Sequence, residues 1–340
     1  MNLEQSTIIF SDLAKIWYAK SIVGVSYSHK NNLHCMINHC NNFFGNLPIQ
    51  NIKPYHIDNM IAELAQMNPT TKRPTSKKTL KELIRTAYRI FDFAVENDFI
   101  IKNPAKNKCK DVPKNSPENE VDAIGREEQE LILTIPHRCQ LAALLMMLAG
   151  LRTSEVLALE WNDIDFDNKV IYIWHHTQKV DTNKFEVKYA TKNKKTRYVT
   201  IPDSLCAFLF TQKPQSKSSL VFPKTDGTLH TPSSWNSAWR GYINSLNWEA
   251  YKKKYSDCKS ISKFDPKGYP KTIKIAPHQL RHTYASLLYF SKVDPLTGSK
   301  LLGHATVEFT LNTYTHLDEE HKRLDISNFN DYLSSDLCNI

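Results

Sequence analysis

The stretch "AKNKCKDVPKNSPENE", residues 105–120, is polar, carries Pro113 and Pro117, and keeps neither helical nor strand periodicity. Such a segment cannot be buried, because its backbone N–H and C=O groups would lose water without gaining partners, so it divides the chain. At 340 residues the chain is also longer than a single core usually serves. The expectation is two domains, 1–110 and 121–340, with 111–120 as an exposed linker.

Ahead of the linker the apolar pattern is helical. Ser11 can cap a segment with Leu13, Ile16 and Trp17 on one face, a second helix runs from about Ser26 to Phe44, and a third follows Pro54 with Ile57, Ile61 and Leu64. The fourth is the clearest: Leu80, Leu83, Ile84, Ala87, Phe91, Ala94 and Val95 keep helical spacing, with the end marked by Asn103 and Pro104. Beyond the linker, "CQLAALLMMLAG" is a strongly apolar helix that Gly150 can stop. Three stretches read as strands: "KVIYIW" from Lys169, "KFEVKYAT" from Lys184, and "TRYVTIP" ending at Pro202. Helices resume at about residue 203, interrupted by residues 251–274, a solvated loop with eight lysines against two aspartates. The fold class is therefore mainly α in two domains: a helical N-terminal domain, then an α-rich domain with a small three-stranded antiparallel sheet.

The 44 Lys and Arg against 35 Asp and Glu give a net charge of +9, a balance that suits a polyanionic partner such as nucleic acid. No apolar run is long enough to span a bilayer, and the start, "MNLEQSTIIFSDLAK", lacks the pattern of a secretory signal, so a cytoplasmic location is expected. Seven cysteines without CxxC pairing read as reduced thiols. His34, Cys35, His39 and Cys40 could be taken for a metal site, but they share a helical pattern with Leu33, Ile37 and Phe44, and no metal is expected there.

Three segments set cations and histidines beside structural punctuation. In "AGLRTSEVLALEW", Arg152 follows a helix stop and precedes Thr153 and Ser154, either of which can cap the next helix; helix N-termini attract anions, and a salt bridge to Glu155 is the competing role. In "HQLRHTYASLLYF", His278 and Arg281 share a face at i, i+3, while Leu280, Tyr284, Leu287 and Leu288 supply the core side. In "LGHATVEFTLNTYTHLD", Gly303 allows a turn before His304, and Val307, Thr310, Leu311 and Tyr314 line one helical face. Taken alone, Tyr314 reads as a packed aromatic. Taken together, the segments suit phosphodiester chemistry. Two guanidinium forks, Arg152 and Arg281, can bind the oxygens on which a phosphoryl transition state gathers charge. A tyrosine hydroxyl attacks only when a base takes its proton, and the leaving oxygen needs a proton in return; His278 and a lysine could share those tasks.

The order "GLRTSE", "TKNKKTRYVTIP", "HQLRHT", "LGHATVEFTLNTYTH" resembles the catalytic domain of the tyrosine recombinases, the phage integrase family, over residues 120–320. By pattern, the first domain resembles that family's SAM-like core-binding domain. The resemblance implies that Arg152 and Arg281 hold the scissile phosphate, Lys192 acts as general acid with Lys194 and Lys195 as competitors, and His278 assists proton transfer. It further implies that His304 hydrogen-bonds the phosphate, Tyr314 attacks it, and Glu155 orients the site; His175, His176, His282 and His316 are left as structural or surface residues. Neither metal nor nucleotide cofactor is called for. The implied partners are double-stranded DNA, further copies of the chain in a tetramer on that DNA, and a directionality factor, with no membrane partner. Lys77, Lys78, Lys81 and Arg85 are candidates to face the duplex. "FSDLAKIWYAK" begins the first core-binding helix almost at once, so control through distant arm sites is not expected. Leu324, Ile326, Phe329, Tyr332, Leu333 and Leu337 give the last segment an apolar face that could dock on a neighbouring copy or fold back on its own domain. The implied function is integration or excision of a phage or other mobile element. The alternatives are a type IB topoisomerase-like relaxing enzyme and a non-catalytic architectural DNA-binding protein; a serine or cysteine hydrolase lacks its nucleophile elbow here.

Overall fold

The computed structural model describes residues 8–110, 112, 113, 116, 117, 123–189, 196–213, 217–254 and 271–303. The chain divides into two compact units, Met1–Glu120 with Lys179–Asp181 in the first, and Val121–Gln178 with Thr182–Ile340 in the second.

Among the described residues the first unit holds four α-helices, α1 (Phe10–Ser21), α2 (Tyr27–Phe44), α3 (Pro54–Gln66) and α4 (Lys77–Glu96). Local chemistry sets most of their starts: the Ser26 and Ser76 hydroxyls accept from the His29 and Thr79 N–H groups, and Pro54 occupies the first position of α3. At α1 the expected cap fails. Ser11 lies inside the first turn, because the orphan N–H groups of Phe10 and Ser11 donate to the Leu47 and Gly45 carbonyls at 3.0 Å and need no side-chain cap. Ile16, expected on the buried face, is 46% exposed. Helix α4 buries Leu80, Leu83, Ile84, Ala87, Ile90, Phe91 and Ala94. It ends at Glu96, before the expected Asn103 and Pro104, because Asp98 takes a left-handed φ of 59° and the Phe99 N–H closes on the Ala94 carbonyl. Phe10, Phe44 and Phe91 meet at the centre, with Phe10 edge-on to Phe44 at a ring separation of 4.7 Å.

The second unit is built on α6 (Gln140–Leu148), which is buried along almost its whole length. Around it lie α5 (Arg126–Thr134), α7 (Thr153–Ala158), α8 (Asp203–Gln212), α9 (Pro232–Lys254), α10 (Pro277–Phe290) and α11 (Pro295–Leu302). Strand β2 (Val170–Ile173) pairs antiparallel on one side with β1 (Ile164–Asp165) and on the other with β5 (Arg197–Thr200). Ile171, Ile173 and Val199 face the core; Tyr172 and Tyr198 pair on the outer face.

The expected sheet of three strands is present with one exchange of members. The segment from Lys184 forms β4 (Lys184–Lys188) and pairs with β3 (His176–Asp181) in a separate two-stranded sheet, and β1 takes its place in the larger one. No residue of β4 is fully buried: Phe185 and Val187, on one side of the strand, are half-buried, and Phe185 packs against the edge of the core. Helix α9 continues to Lys254, four residues into the expected loop, and residues 255–270 lie outside the described residues. Among the described residues no helix is long and apolar enough to cross a membrane.

Candidate active site at the end of α11

Two glycines with positive φ fix where the cations gather. Gly150 (φ 64°) follows α6, and a Cβ there would stand 2.2 Å from the Tyr284 ring, so the chain can turn against α10 only with glycine at this position. Gly303 (φ 63°) caps α11, and a Cβ there would meet the Arg197 Cδ at 2.9 Å. Gly150 is the helix stop and Gly303 the turn glycine expected from the sequence, and both also bring backbone carbonyls close to arginines.

Arg281 projects from the second turn of α10 and is 3% exposed. Its Nη1 donates to the Gly150 carbonyl and its Nη2 to the Leu302 carbonyl. Burial, then repulsion from Arg152, pushes its pKa down to about 9, which leaves it cationic at neutral pH. Arg152, rather than Thr153 or Ser154, is the N-cap residue of α7. Glu155 does the capping, its Oε2 accepting the Arg152 N–H at 2.7 Å, and its Oε1 also accepts from Arg152 Nη1 at 2.9 Å. Arg152 Nη2 donates to the Gly303 carbonyl at 3.0 Å, and the side chain keeps 41% exposure. The ion pair with Glu155 and an open anion-facing side therefore coexist.

A third guanidinium completes the group. Arg197, on the core-facing side of β5 opposite Ile173, donates Nη1 and Nη2 to the two Glu155 oxygens at 2.8 and 2.7 Å and Nε to the Leu301 carbonyl at 3.2 Å. The three carbonyls at the end of α11, 301, 302 and 303, thus accept from Arg197, Arg281 and Arg152 in turn. A helix C-terminus leaves its last carbonyls unpaired and carries partial negative charge, so it is a natural anchor for cations. Burial pushes the Glu155 carboxyl upward, but the Arg197 hydrogen bonds and charge, joined by Arg152, outweigh it and hold the pKa at about 2. Three guanidinium groups against one carboxylate leave a surplus of positive charge at a partly open surface, a setting that favours an oxyanion.

His278, in the first turn of α10, is exposed at the edge of the cluster. Desolvation, then the Arg281 and Arg152 charges, hold its pKa below the ordinary histidine value, so it is neutral at pH 7 and able to accept a proton. Its ring stands edge-on to His282 at 4.6 Å. His175 is buried, its Nε2 3.0 Å from Asp163 Oδ2 at ion-pair distance but without hydrogen-bond alignment. Lys192, Lys194, Lys195, His304, Tyr314 and His316 lie outside the described residues, as do the apolar positions 324–337.

Of the residues expected from the sequence, the structure brings Arg152, Glu155, His278 and Arg281 together at the residue that precedes 304. It adds Arg197, which the sequence reading passed over. The signal was present: in the alternation of β5, Arg197 shares the inward face with Val199, and a charge in that register must be paired.

Residues 115–321 match the model of the phage integrase family, and residues 9–65 match that of the phage integrase N-terminal SAM-like domain. The chain belongs to the phage integrase family, the tyrosine recombinases. It is similar to a XerC-like tyrosine recombinase of Caldanaerobacter subterraneus, with 29% identity over 78% of this chain and 68% of the relative. It is similar to the ICEBs1 integrase of Bacillus subtilis, with 24% identity over 92% of this chain and 80% of that one. The transposase of Tn916 from Enterococcus faecalis is 25% identical over 70% of this chain, which spans 58% of that protein's length. Among solved structures, the fold is shared with the Tn1549 transposon integrase in complex with a circular intermediate DNA, at a TM-score of 0.72, 20% identity, and coverage of 94% of this chain and 99% of that one. A lambda integrase tetramer bound to a Holliday junction gives a TM-score of 0.63 at 14% identity, covering 91% of this chain and 78% of that one.

Proposed function

We propose that this integrase-family protein is a site-specific DNA recombinase that cleaves and rejoins strands through a 3′-phosphotyrosine intermediate at Tyr314. The observation that carries the proposal is the convergence of Arg152 and Arg281, with His278 beside them, on the carbonyls of residues 302 and 303, directly before the segment that holds His304 and Tyr314. Arg152 and Arg281 bind the non-bridging oxygens of the scissile phosphate, and His304 adds a hydrogen bond. The Tyr314 oxygen bonds to phosphorus as the bond to the 5′ oxygen breaks. The phenolic proton passes to a base assisted by His278, and Lys192 gives a proton to the leaving 5′ oxygen. The phosphodiester is kept as a phosphotyrosine ester, so a second 5′ hydroxyl can reverse the step without metal or nucleotide.

The substrate is double-stranded DNA in the cytoplasm, gripped by residues 1–110 and 121–340 and acted on by a homotetramer, with a directionality factor choosing between integration and excision. Similarity to integrases and transposases of mobile elements supports that role over simple DNA relaxation. The decisive test is incubation with a nicked candidate attachment site followed by denaturing electrophoresis. A covalent protein–DNA adduct that disappears in Tyr314→Phe is the expected result; an adduct undiminished in that variant overturns the assignment.

A further inference from the structure

Arg197 has no place in the chemistry above, yet its hydrogen bonds tie Glu155 to the end of α11. Its side chain is 11% exposed, so the guanidinium depends on protein partners. Its two terminal nitrogens meet Glu155 end-on in two parallel hydrogen bonds, and Nε holds the Leu301 carbonyl. Arg152 donates to the same two carboxylate oxygens, from Nη1 to Oε1 and from its backbone N–H to Oε2. Each Glu155 oxygen therefore has two donors, which fills the carboxylate.

That arrangement constrains Arg152. With Arg197 bound, Glu155 has room for only one Arg152 nitrogen from the side chain, and the other reaches the Gly303 carbonyl. Without Arg197, a buried carboxylate would lose two charge-assisted hydrogen bonds, and Arg152 is the cation in position to replace them. Its fork would close on both Glu155 oxygens and leave Gly303. At the same time the Leu301 carbonyl would lose its donor, and the close contact between Gly303 and the Arg197 stem would be lost.

We infer that Arg197 is a positioning residue for strand cleavage: by occupying Glu155 it keeps the Arg152 fork directed at the phosphate site, and by holding residues 301–303 it sets the start of the segment that carries His304 and Tyr314. The inference rests on the proposed recombinase chemistry, in which Arg152 binds the scissile phosphate.

Its test is single-turnover cleavage of a nicked site by the full chain, with DNA affinity measured on the same duplex. Arg197→Ala is expected to lower the cleavage rate by about a hundredfold while affinity stays within about threefold. Arg197→Lys, which keeps the charge but cannot form the parallel pair, is expected to recover only part of that rate. Adding Glu155→Gln to Arg197→Ala removes the charge that captures Arg152, and is expected to restore about tenfold. Should Arg197→Ala not fold, Arg197→Lys with and without Glu155→Gln carries the same comparison. A wild-type rate in Arg197→Ala, equal losses of rate and affinity, or a double variant no faster than the single one would overturn the inference while leaving the Tyr314 adduct intact. Absence of a Tyr314-dependent adduct in the wild type would instead remove the recombinase reading and this inference with it.

Discussion

The interior of the first helical unit is buried and the arginine cluster of the second only partly so, with Arg281 and Glu155 inside and Arg152 41% exposed, and the two are held together by opposite means. In the first, Phe10, Phe44, Phe91 and the apolar faces of α1 to α4 exclude water, and the stabilisation scales with apolar area. In the second, three guanidinium groups end on the carbonyls of a helix end, and two of them share one carboxylate. Apolar contacts tolerate substitution in proportion to the volume lost. A filled hydrogen-bond network does not, since removing one member leaves the others buried without partners. One region can therefore lose stability and keep its chemistry, whereas the other is expected to lose chemistry first.

The largest effect expected is on the apolar side. Phe91→Ala should cost about 3–5 kcal/mol of unfolding free energy, read by denaturant titration, while folded protein cleaves a bound nicked site at the wild-type rate. A matching loss of cleavage rate in the folded fraction would break the contrast. Arg281→Ala should do the reverse in kind. It removes an anion donor and strands the Gly150 and Leu302 carbonyls, so single-turnover cleavage should fall at least ~100-fold, for a barrier increase of about 3 kcal/mol. Gly303→Ala comes next, at about 1–3 kcal/mol from the left-handed backbone and the Arg197 contact together. Its signature should be slowed cleavage with DNA binding retained.

The smallest expected effect is on pH dependence. The Glu155 carboxyl, held at about 2 in the folded chain against an ordinary 4.5, contributes stability that is complete above pH ~4.5 and is lost as the pH falls toward 2. Melting temperatures taken between pH 6 and 3 should therefore decline more in the wild type than in Glu155→Gln. Equal slopes would show that Glu155 is not held by its arginines as the geometry requires.

Much of the first unit was legible because helix faces and caps are local. Ile57, Ile61 and Leu64, or the α4 series from Leu80 to Ala94, announce a buried face by spacing alone, and Ser26 announces a start. The misses there, Ser11 and the end of α4, arose where a tertiary contact or a single left-handed residue replaced the local signal. In the second unit the Gly150 stop, the turn at Gly303 and the i, i+3 spacing of His278 and Arg281 were also readable. The exchange of β1 for β4 was not, since short strands with mixed residues choose partners by which face the core will take.

The sequence by itself determined the helical series, the excess of positive charge, and the order of motifs that marks an integrase-family chain. Tertiary structure alone decided that Arg152, Arg197 and Arg281 end on three successive carbonyls and that Glu155 is shared by two of them. Periodicity reports which side of an element faces the core, because neighbours in sequence share one helix or strand. A guanidinium fork can satisfy a carbonyl at any separation along the chain, 151 residues away in the case of Arg152 and Gly303, and only the folded backbone chooses which.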